Sequence, residues 1–104
     1  MAHYWRLKID SKLDQPAIKN LLSAALPEFV WRMGDSDAIG LYITGLGPAH
    51  EMVSLDIEDT LVDVSIDTGR VTHGEASAAS TALVKTLIEA ILPSIGRVVS
   101  VKEM

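Results

Sequence analysis

Val53-Ser54-Leu55-Asp56-Ile57-Glu58-Asp59-Thr60-Leu61-Val62-Asp63-Val64-Ser65-Ile66-Asp67 alternates apolar and polar side chains on both sides of Asp59-Thr60. A period of two belongs to a strand with one face buried and the other in water. Two such runs around an Asp-led break predict a hairpin. Val53, Leu55, Ile57, Val62, Val64 and Ile66 then share the buried face. With Asp59-Thr60 as a two-residue turn, Glu58 faces Leu61 and Asp56 lies directly opposite Asp63 on the open face, a like-charge pair that destabilises a ladder. Compensation is expected first from Arg6 or Lys8 on a neighbouring strand; a longer loop would abolish the pairing, and a cation or basic partner is the third source.

Upstream, residues 28–33 and 39–44 read as two further strands. They place Phe29, Trp31 and Met33 on the same face as Ile39, Leu41 and Ile43 across a Gly34-Asp35-Ser36-Asp37 turn, with Gly45-Leu46-Gly47-Pro48 as the next loop. Before them, Asp14 is a good N-cap for a helix with Pro16 in its first turn and Ile18, Leu21, Leu22 and Ala25 at helical spacing, ended by Pro27. Trp5, Leu7 and Ile9 alternate with Tyr4, Arg6 and Lys8 in a first strand. Alternation sends Tyr4 and Tyr42 to the open face, and Trp5, Phe29 and Trp31 toward the helices.

Downstream, Ala76, Ala79, Ser80, Leu83, Val84, Leu87, Ile88 and Ile91 keep the apolar spacing of a second helix, opened by a Thr72-x-x-Glu75 capping box containing His73 and ended by Pro93 and Gly96. Arg97 to Lys102 form the last strand. The order β-α-β-β-β-β-α-β, with one apolar stripe per helix and one apolar face per strand, predicts an α+β domain. A mostly antiparallel sheet of five to six strands carries both helices on one face, a ferredoxin-like variant with an added hairpin.

The 104 residues suffice for one domain, 48% are hydrophobic and 22% charged, and none is cysteine. That composition excludes disordered, collagenous and disulfide-scaffold classes, as well as thiolate zinc sites and thiol catalysis. The sequence shows no apolar run of the roughly 18 residues a membrane span needs and no signal-peptide layout at Met1-Ala2-His3-Tyr4-Trp5-Arg6, so a cytoplasmic protein without a membrane partner is expected. Fourteen acids against nine bases give −5, which disfavours nucleic acid. Between Arg32 and Arg70 there are eight acids and no Lys or Arg. The remainder of the chain is net basic, an asymmetry suited to steering a basic partner or simply to solubilising outward strand positions.

Motifs for chemistry are incomplete. Asp35-Ser36-Asp37-Ala38-Ile39-Gly40 starts like a calcium loop but has Ile39 at the fifth position and Leu46 at the twelfth, where oxygen ligands are required. Gly34-Asp35-Ser36 lacks the glycine two places after the serine of a nucleophile elbow. His50 stands where the third glycine of a Gly45-x-Gly47 dinucleotide motif would be. His3, His50 and His73 occur singly. No cofactor or metal is expected, and paired carboxylates on an open sheet face lack the burial that shifts a pKa for catalysis.

The stretch Phe29-Val30-Trp31-Arg32-Met33-Gly34-Asp35-Ser36-Asp37-Ala38-Ile39-Gly40-Leu41-Tyr42, with its W-x-x-G-D-S-D-x-x-G pattern, resembles a hairpin of small bacterial immunity proteins encoded beside polymorphic or type VI secreted toxins. The resemblance spans fourteen of the 104 residues. It implies a non-enzymatic protein that occludes a cognate toxin domain, and it agrees with the small acidic α+β domain read from the residues. The expected partner-binding residues are Asp35, Asp37, Asp56, Glu58, Asp59 and Asp63, with Tyr42 as an anchor and a toxin basic at the contact. A ferredoxin-like small-molecule sensor with Gly45 to Pro48 at its ligand site, often dimeric, is the alternative. A small dimeric enzyme using Asp56 or His50 is the third reading.

Overall fold

The computed structural model describes residues 4–38, 40–48, 51–67, 82 and 85–103. Six strands form one antiparallel sheet: β1 (Tyr4–Asp10), β2 (Val30–Ser36), β3 (Gly40–Leu46), β4 (Met52–Glu58), β5 (Leu61–Asp67) and β6 (Arg97–Glu103). Their order is β2-β3-β4-β5-β1-β6, so β1 lies between β5 and β6, far from β2. Helix α1 (Gln15–Ala25) connects β1 to β2 and packs on β2 and β3, while a second helix precedes β6. The chain is thus an α+β domain with a six-stranded antiparallel sheet and two helices. Among the described residues, no helix is long and apolar enough to cross a membrane.

One face of the sheet makes the core. Leu7, Ile9, Ile43, Leu55, Val64 and Ile66 are fully buried there, meeting Ile18 and Leu22 of α1 and Leu87 and Leu92 of the second helix. Asp14 caps α1, its Oδ1 accepting from the Ala17 N–H at 3.0 Å, and Pro16 sits in the first turn, where a missing N–H removes no helical bond. Leu21 and Ala25, assigned to the buried stripe by spacing, are exposed, because α1 meets the sheet along Ile18 and Leu22. Buried Ser11 ties the end of β1 to two other elements: its N–H donates to the Thr60 carbonyl at 2.8 Å and its Oγ to the Ile95 carbonyl at 2.7 Å.

Two further sequence expectations, the place of the β2–β3 reversal and the end of the second helix, are corrected. Gly34, Asp35 and Ser36 belong to β2, and Gly45 and Leu46 to β3, so the reversal falls after Ser36, which pairs with Gly40. Met33 and Leu41 lie on the core side in register but remain 44% and 37% exposed, since that end of the hairpin projects beyond the core. Pro93 does not end the second helix. A π-helical segment, Leu87–Ile91, in which the Leu92 N–H donates to the Leu87 carbonyl, leads into α2 (Leu92–Ile95) with Pro93 in its first turn. The wider turn admits the proline ring, and the proline's missing N–H falls where a helix start needs none. Helix and strand part at Gly96, which packs against the backbone of Asp10 and Ser11 where a side chain would collide. Ala76, Ala79, Ser80, Leu83, Val84, the Ile39 side and the Thr72 to Glu75 capping box lie outside the described residues.

Candidate functional site

The open face of the sheet carries the candidate residues, ordered by register. One row runs Gly34, Tyr42, Asp56, Asp63, Lys8, Ser100 across all six strands, and its neighbour runs Arg32, Thr44, Ser54, Ser65, Arg6, Lys102. Asp56 pairs with Asp63 as the two-residue turn required, and Asp59 in that turn holds φ at 54°, a left-handed conformation Asp tolerates better than most residues. Arg6 supplies the compensation, its Nη2 donating to Asp63 Oδ2 at 3.2 Å. Lys8 is Asp63's direct cross-strand neighbour. Asp63 is therefore part of an internal charge pair, whereas Asp56 is exposed and forms no ion pair with a described residue.

The other candidates divide between places. Antiparallel order puts the β2–β3 and β4–β5 turns at one end of the sheet, so Asp37, Glu58 and Asp59 gather there, exposed. Asp35 is one residue from that end but pairs with Leu41, whose side chain alternates to the core side, so Asp35 belongs to the rim and not to the open face. None of these four acids forms an ion pair with a described residue. The acidic surface is an edge plus Asp56, with Asp63 neutralised behind it.

Tyr42 is on the open face as alternation required, but half-buried: its phenol ring lies over Gly34, where a Cβ would collide with it. The same arrangement recurs on the core side. Trp31 covers Gly45, its cross-strand partner, and Phe29 covers Gly47, while the Phe29 and Trp31 rings stack with centroids 5.6 Å apart. Trp31 Nε1 donates to the Leu26 carbonyl at 3.1 Å, which fixes its ring. Trp31-x-x-Gly34 and Tyr42-x-x-Gly45 thus form two reciprocal aromatic–glycine pairs, a packing device that gives glycine in a strand a neighbour to bury it. The small residues of Gly45 to Pro48 serve that packing too, with the Glu51 carboxylate, 6% exposed, against Gly47.

Three cations make a grouping not seen in the sequence. Arg6, Lys8 and Lys102, with Asp63 and Ser100, line an open-face groove of about 520 Å³. Alternation alone places Arg6 and Lys8 outward, but nothing local reveals that β6, some ninety residues later, docks beside β1 and adds Lys102. Among the described residues no group of three or more His, Asp or Glu side chains is placed to hold a metal ion. His3, His50 and His73 lie outside the described residues, as does the side chain of Tyr4. No protein-family model matches this chain, and no curated protein is significantly similar to it.

Proposed function

We propose that the protein is a non-enzymatic binding protein of the immunity type, which occludes a cognate toxin domain by docking the acidic end and open face of its sheet onto a basic surface. We take the sheet as a ferredoxin-like layout widened by one hairpin, and the protein as cytoplasmic, where such an inhibitor meets its toxin. The observation that carries the reading is that Asp35, Asp37, Asp56, Glu58 and Asp59 are all exposed, none has a cationic partner among the described residues, and four of them crowd one end of the sheet. Water solvates each of these exposed acids, but four of them at one end of the sheet with no cationic partner among the described residues make a surface complementary to a basic partner. Tyr42 contributes an aromatic surface already held in place over Gly34, which limits the rotamer entropy lost on docking.

Charge at such a rim speeds association more than it fixes final affinity. A tagged pull-down from native lysate at low and moderate salt, followed by identification of the bound protein, tests this. A stoichiometric toxin-domain partner, whose on-rate falls with salt and whose capture is lost in the double variant Asp56→Lys/Asp59→Lys, is the expected result. A homodimer without a partner, or a partner indifferent to both charge reversal and salt, would overturn it.

A further inference from the structure

We propose that the groove between β1 and β6 is an anion site that takes the phosphate group of a small molecule, a function separate from the acidic end and independent of the reading above. Arg6 and Lys102 are direct cross-strand neighbours, and Lys8 stands one rung along on the same face, opposite Ser100. Like charges directly opposite each other destabilise a ladder. The Asp56–Asp63 pair has Arg6 as its remedy, but the Arg6–Lys102 pair has none of its own. Asp63 is the groove's single anion and is engaged by Arg6 at 3.2 Å, and neither Lys8 nor Lys102 has a carboxylate within ion-pair reach among the described residues. Three cations against one carboxylate leave the groove at +2, the complement of a phosphate dianion.

The geometry agrees with the charge count. Asp63 holds the Arg6 guanidinium down on the sheet with the rest of its donors free, so one phosphate-binding fork is pre-positioned. Lys102 opposite Arg6 and Lys8 one rung along are point charges on flexible stems, and the Ser100 hydroxyl, opposite Lys8, is able to donate to a phosphate oxygen. A volume of about 520 Å³ is the size of a small-molecule site and exceeds what a bare phosphate fills.

The test is an amide-resolved NMR titration of the full chain with inorganic phosphate and, separately, with glycerol 2-phosphate, ionic strength being held constant with chloride and acetate serving as the monoanion control. Saturable shifts at residues 6–8 and 100–102 are expected. Binding should weaken at least about tenfold in Lys8→Ala/Lys102→Ala, which removes both unpaired charges. It should tighten in Asp63→Asn, which removes the groove's negative charge. Saturation by both ligands identifies a phosphate monoester as the ligand class; saturation by inorganic phosphate alone identifies free phosphate. Shifts that fail to saturate, that spread equally to Lys19 and Lys85, or that survive the double substitution would overturn the proposal. So would a glutamate-rich peptide occupying the groove where both phosphates fail.

Discussion

Arg6 has an effect larger than its exposure suggests. A half-exposed ion pair is ordinarily worth little, yet removing this guanidinium leaves Asp63 beside Asp56, with its buried Oδ1 already accepting no hydrogen bond. Arg6→Ala is expected to destabilise the protein by about 1 kcal/mol, and the loss to shrink by at least half in an Asp56→Ala background. Urea denaturation of the four proteins in that cycle measures it, and equal losses in both backgrounds would mean the two acids do not feel each other. A second residue-scale expectation concerns Gly45. An added methyl meets the Trp31 ring, so Gly45→Ala should lose about 1–3 kcal/mol by overpacking and perturb tryptophan fluorescence, while Thr44→Ala on the opposite face should do neither.

At the scale of elements, position in the sheet order sets local stability. β1, β4 and β5 are hydrogen-bonded on both sides and carry the fully buried Leu7, Ile9, Leu55, Val64 and Ile66, whereas β2 and β6 are edges. Amide exchange should be slowest in β1, β4 and β5 and fastest at the free edge of β2; protection in β2 equal to that in β5 would contradict this. The β4–β5 hairpin was legible in the sequence down to its register, because alternation on both arms and a two-residue turn leave only one pairing. The β2–β3 hairpin was legible as a hairpin but not in its turn. Gly34-Asp35-Ser36-Asp37 has the composition of a reversal, and what extends β2 through it is Tyr42 packing over Gly34, a cross-strand contact that no local pattern announces. Pro93 misled for a similar reason: the π turn that accommodates it has no signature in residue type. Of the candidate site, the acids were visible and their grouping at one end followed once the strand order was known. The cationic groove depended on the pairing of β1 with β6, which is a property of the sheet and not of either strand.

For the molecule as a whole, charge is separated: uncompensated acids at the end bearing the hairpin turns, and Arg6, Lys8 and Lys102 across the β1–β6 side of the open face. With a net charge of −5 the folded chain repels itself, so added salt should stabilise it. Raising NaCl from about 20 to about 300 mM, across which the screening length falls several-fold, should raise the melting temperature, and Asp56→Lys/Asp59→Lys should flatten that response. A melting temperature that falls with salt would show that the surface ion pairs outweigh the repulsion. The place of β1 has a further consequence, in biosynthesis. Its outer edge is closed only by β6, so a nascent chain on the ribosome has made β1 through β5 while the Leu7–Ile9 strand still shows one bare side. That side is a template for pairing with any other chain, and a translating polysome holds many copies close together. Premature termination before Arg97 would therefore yield a product that associates through β1, and chaperone demand should concentrate in the interval before the last seven-residue strand emerges.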